Sequence, residues 1–105
     1  MSYDVYLEET TPTGIEVVWE QNHTSNTSNI WRHAGCDIAT FDGKPARELG
    51  AAAARAIAAI VTEPEKYTPM EPRNRWGSLL STVRFLTDIW DACRDWPETT
   101  VHVSR

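Results

Sequence analysis

The first thirty residues contain no lysine and no arginine. They carry Asp4, Glu8, Glu9, Glu16 and Glu20, and the remaining seventy-five residues balance ten acids with ten bases. The whole formal charge of −5 therefore belongs to the front of the chain. A front segment of that sign argues against contact with the phosphate backbone, so nucleic acid is an unlikely partner. No apolar run approaches the length of a membrane span. The opening Met-Ser-Tyr-Asp lacks the basic and apolar regions of a secretory leader, which leads us to expect a cytoplasmic protein. Two cysteines, Cys36 and Cys93, are too few for a disulfide framework and are expected as reduced thiols. In that compartment the two glycosylation sequons at Asn22 and Asn26 mean only a polar loop. Strand-to-helix nucleophile elbows, phosphate-binding glycine loops and paired acid-base carboxylates are all missing. The sequence calls for no cofactor and names no catalytic residue.

At 105 residues, 41% of them hydrophobic, the chain predicts one folded domain spanning 1–105 with a modest core. Five tryptophans are many for that size. Most are expected to fill the core, and the rest to stand at a surface.

Tyr3, Val5 and Leu7 alternate with Asp4, Tyr6 and Glu8, the period of a half-buried strand. Thr11-Pro12-Thr13-Gly14 reads as a turn. Ile15, Val17 and Trp19 then alternate with Glu16, Val18 and Glu20, giving a hairpin with Asp4, Glu8, Glu16 and Glu20 on its wet face. Residues 22–29 read as a polar loop. Thr27 or Ser28 caps a short helix over Ile30, Trp31 and His33, stopped by Gly35. An alanine-rich helix over 46–61 presents Ala46, Leu49, Ala53, Ile57 and Ile60. The proline-bearing stretch 62–77 reads as a connection. Ser78 caps a third helix over 79–95, with Leu79, Val83, Leu86, Ile89 or Trp90, and Cys93 inward. Thr99–Ser104 is a closing strand. The order β-β-α-α-α-β predicts an α+β fold of two layers: a small antiparallel sheet with helices packed on one face.

Several segments resemble a family of small actinobacterial and actinobacteriophage proteins of unknown function. They are Tyr3-Asp4-Val5, Asn22-His23-Thr24-Ser25-Asn26, Ile30-Trp31-Arg32, Trp76-Gly77, Asp91-Ala92-Cys93-Arg94 and the ending Thr100–Arg105. The resemblance implies an origin in such bacteria or their phages, and no activity. That family commonly has Tyr where this chain has His23, so it gives position 23 no chemical role.

Three sets of residues merit a functional reading. Asn22, Thr24 and Asn26 offer short donors and acceptors for a polar ligand or an anion; the plain alternative is that they satisfy their own backbone. Arg73, Asn74, Arg75 and Trp76, followed by Gly77, offer an anion grip; the plain alternative is a loop anchored by its indole. If the two segments meet, they form one pocket. The third set, Asp4, Tyr6, Glu8, Glu16, Val18 and Glu20, makes an acidic sheet face that suits a basic partner, or is simply solvated. A zinc site at His33 and Cys36, with His23 or Cys93 brought near by folding, lacks a second ligand pair, and Cys36, after Gly35, is the more accessible thiol. The arginines of the two long helices are scattered among acids and form no DNA-binding stripe. We therefore expect a non-enzymatic interaction module with a protein partner, or a homodimer. The alternative is a small polar-ligand or anion binder, or a minor enzyme, built on segments 22–29 and 73–77.

Overall fold

The computed structural model describes residues 2–73 and 77–105. Three strands form one antiparallel sheet in the order β2-β1-β3: β1 Ser2–Thr11, β2 Gly14–Thr24 and β3 Thr100–Ser104. Between β2 and β3 come α1 Ser28–His33, α2 Ala46–Thr62, α3 Pro64–Tyr67 and α4 Leu79–Asp95. The two-layer α+β reading is correct, with α3 and a 3-10 turn at Thr68–Met70 added inside the stretch read as a connection. Pro64 at the first turn of α3 explains the addition, since proline is preorganised for that position.

Burial follows the alternation on β1, where Tyr3, Val5 and Leu7 face the helices and are buried. On β2 the alternation fails. Leu7 pairs with Trp19, but Glu8 pairs with Val17, so Val18 is an extra residue in a β-bulge. A slip of one residue exchanges the two faces. Ile15 and Val17, expected inward, are 71% and 46% exposed, and they lie on the outer face with Glu8 and Thr10. Glu16 pairs with Glu9 on the opposite face, and Val18 packs with Trp19 against the core.

The helical layer is built on α2 and α4. Gly50 lets them touch, because a Cβ there would stand 2.7 Å from Cys93 Cβ. The first amides of α2 find partners outside the helix: Ala46 N–H donates to Thr99 O at 2.8 Å and Arg47 N–H to Pro97 O at 3.2 Å. α4 starts at a reciprocal cap, in which Ser81 N–H donates to Ser78 Oγ and Ser78 N–H to Ser81 Oγ. Its buried face is Thr82, Phe85, Leu86, Ile89, Ala92 and Cys93, so Val83 and Trp90 flank the stripe instead of centring it. Trp31 is fully buried against Tyr3 and Phe85, Trp19 and Trp90 are half-buried, and Trp96 is exposed.

Candidate functional site

Among the described residues, no helix packs on the outer face of the sheet. Register places Asp4, Tyr6, Glu8 and Thr10 of β1 there, flanked by Asn22, Glu20, Val17 and Ile15 of β2 and by Ser104, His102 and Thr100 of β3. Tyr6 and His102 pair across the strands with ring centroids 5.6 Å apart. Of the six residues expected to form this wall, Asp4, Tyr6, Glu8 and Glu20 do. Glu16 and Val18 do not, for the reason given by the bulge, and Val17 stands there instead. A shallow depression of about 310 Å³ opens between Asp4, Tyr6, Glu20, Gln21 and Asn22.

The hairpin outruns its support. β3 pairs only with Asp4–Glu8, so Glu9–Glu16 projects beyond the third strand, with Thr11 alone half-buried in that stretch. Ile15 on this projection and Val17 at its base are the side chains the bulge turned outward.

Gly77 lies against the segment 22–29. Gly77 holds φ at +104°, and a Cβ built on it would lie 2.6 Å from Thr27 Cγ2 and 2.7 Å from Thr24 Cγ2. Both the left-handed backbone and the close approach require glycine. Arg73 is exposed, whereas Asn74, Arg75 and Trp76 lie outside the described residues. The first segment is less of a loop than expected. Asn22, His23 and Thr24 finish β2, and a 3-10 turn takes Ser25–Thr27. Their polar atoms are largely engaged at home. Asn22 Nδ2 donates to Asp4 Oδ1 at 2.7 Å, Asn26 N–H donates to Thr24 Oγ1 at 3.2 Å, and Thr27 Oγ1 donates to Thr24 O at 3.3 Å. Neither Thr27 nor Ser28 makes a side-chain cap to α1, a role the continuing 3-10 turn removes.

His23 comes from the same segment. Its ring stacks on Phe85 at 4.8 Å, and burial holds its pKa below the ordinary histidine value. His23 Nε2 and Trp31 Nε1 are buried without a hydrogen-bond partner among the described residues. A cleft of about 180 Å³ opens beside His23, between Gln21, Ser81, Arg84 and Asp88. No sequence signal separates such a histidine from an exposed one, because its burial depends on α4 crossing β2.

The cysteines correct an expectation. Cys36 is fully buried, because its amide closes α1 by donating to Trp31 O at 2.8 Å and folds the loop inward. Burial, then the charge of Asp37, pushes its thiol up to about 12, against a smaller opposing effect of Arg55. Burial likewise raises Cys93 to about 12. Both are inert thiols at neutral pH. His33 is exposed while Cys36 is buried, and no group of three or more metal-ligating side chains gathers among the described residues.

No helix among the described residues is long and apolar enough to cross a membrane. No family model, characterised protein or solved structure matches the chain.

Proposed function

We propose that this chain is a non-enzymatic protein-interaction module that presents the outer wall of its sheet to a basic protein segment. The observation that carries the reading is the bare, acidic wall: Asp4, Glu8 and Glu20 surround Tyr6 and Val17 on a face no helix covers. The first thirty residues supply no base to neutralise it. Complementary charge speeds encounter and selects partners more than it adds affinity. A homodimer through the same wall would set carboxylates against carboxylates, so a different, basic chain suits it better. Two buried thiols are consistent with a reducing, cytoplasmic setting. The actinobacterial or phage origin implied by the sequence resemblance belongs to the same reading.

The test uses a capped, fluorescent peptide of alternating lysine and valine, titrated at low salt. Reversing two wall charges together, Glu8→Lys with Glu20→Lys, should weaken binding by roughly tenfold or more. The control reversal of Glu63 and Glu65, far from the wall at the start of α3, should leave it unchanged. No binding, or equal loss in both variants, overturns the reading.

The convergence of Gly77 on Thr24 and Thr27 favours a second reading, an anion or polar-ligand site between segments 22–29 and 73–77. A thermal-shift series with inorganic phosphate and nucleotides tests it. A rise in melting temperature that Arg73→Ala abolishes supports it, and a flat series removes it.

A further inference from the structure

The sheet has two edges, and among the described residues only one is covered by another stretch of chain. The outer side of β3 is covered by the chain before α2. Val101 N–H donates to Lys44 O at 2.9 Å, Gly43 N–H to Val101 O at 2.8 Å, and Val103 N–H to Asp42 Oδ1 at 2.8 Å. Pro45 bridges to Thr100.

These bonds fix the backbone directions across the whole sheet. Along a strand, successive residues turn their N–H and C=O groups to opposite sides, and an antiparallel pair alternates accordingly. Val101 and Val103 face away from β1, so Thr100, His102 and Ser104 face it. Their register partners Glu8, Tyr6 and Asp4 therefore face β3, which leaves Leu7, Val5 and Tyr3 facing β2. The residues opposite these, Trp19, Gln21 and His23, bond to β1. Glu20, Asn22 and Thr24 then aim their backbone groups out of the sheet. Asn22 N–H is held by its neighbour's side-chain oxygen, Gln21 Oε1, at 3.1 Å, which agrees with that direction. Among the described residues, no strand or bridge lies on the outer side of β2.

We propose that this free edge of β2, along Trp19–Asn22, is a strand-addition site for an extended basic segment of a partner protein. An exposed edge offers a row of unpaired donors and acceptors that another strand can complete. Natural edges are commonly blunted by lysine, proline or a bulge. β2 has neither lysine nor proline, and its bulge lies at Val18, just before the regular stretch.

The neighbouring side chains identify the occupant. A strand laid beside Trp19–Asn22 sets alternate side chains on the outer wall, next to Glu20 and Asn22, and the others on the inner side, next to Val18, Trp19 and Gln21. That pattern selects bases alternating with apolar residues. A second copy of β2 offers Glu16 and Glu20 and no base in return.

The inference rests on the reading of a basic partner, and its test separates the two. The lysine–valine peptide is compared with an analogue N-methylated at alternate residues, which keeps the charges and loses the ladder donors. Amide hydrogen exchange is followed on the chain with and without peptide. The N-methylated analogue should bind about tenfold or more weakly, since several backbone bonds are lost. At peptide saturation, exchange at Glu20 should slow by roughly tenfold or more, while Trp19 and Gln21, already bonded to β1, change little. If the parent peptide binds but the analogue binds equally, or Glu20 exchange is unaffected, strand addition is wrong and docking on the wall stands. If the parent peptide does not bind, both readings fall. A chain that dimerises alone and already protects Glu20 assigns the edge to a second copy and overturns the proposal.

Discussion

A methyl group added at Gly77 meets Thr24 and Thr27 inside normal contact distance, and the left-handed backbone there penalises any side chain. Gly77→Ala should therefore destabilise the fold by about 2–4 kcal/mol in chemical denaturation, from strain and overpacking together. Gly50 differs, because its backbone is helical and only the contact with Cys93 opposes a side chain. Gly50→Ala should cost roughly 1–2 kcal/mol, the overpacking being partly offset by better helix propensity. Protonation acts at His23. Burial lowers its pKa in the folded state, so the unfolded chain takes up the proton first as pH falls below the ordinary histidine value. Stability is then full above that value and declines below it until the folded pKa is reached. Denaturation midpoints measured across that window should fall with pH, and His23→Phe should flatten the decline. Cys36 and Cys93 share the same protection from solvent, so maleimide labelling at neutral pH should proceed only at the rate of unfolding.

At the scale of elements, most of the architecture was legible because periodicity reports burial directly. α2, α4 and β3 fall within one residue of their expected bounds, and β1 runs from Ser2 to Thr11, three residues past the expected alternation. The cap of α4 was legible, whereas that of α1 was not. Ser78 stands at the start of α4, and Ser78→Ala should cost about 1 kcal/mol, read by thermal denaturation. β2 shows where the pattern stops informing. Ile15, Val17 and Trp19 alternate as cleanly as any strand, yet one extra residue at Val18 reverses the first two relative to the third. Nothing local marks that insertion, since its cause is the pairing with β1. The wall was therefore recovered in part, as Asp4, Tyr6, Glu8 and Glu20, and Glu16 and Val18 were misplaced with the rest of the slip. Gly77 could be singled out as a residue needing space, but what crowds it could not be read before Thr24 and Thr27 were brought against it.

The whole molecule measures 47 × 26 × 18 Å, and the hairpin contributes to that length by running on past β3. Of the acids in the first thirty residues, Glu9 and Glu16 lie on this extended part and Asp4, Glu8 and Glu20 on the wall behind it, while the rest of the chain balances its charges. That arrangement gives the molecule a charged end as well as a charged face. Raising salt from about 50 mM to about 500 mM should weaken any charge-steered encounter several-fold, with little effect on folding. The two layers also divide the labour. α2 and α4 bury the apolar side of the sheet, which leaves the other side available for contact.

The cover over β3 has a consequence for how such molecules can accumulate. A sheet open on both flanks can recruit neighbours without end, and that is how fibrils grow. Here Asp42–Pro45 covers one flank, and the proposed strand addition would use the other, that of β2. Two copies joined through β2 would leave no open edge among the described residues, and growth would stop at the pair.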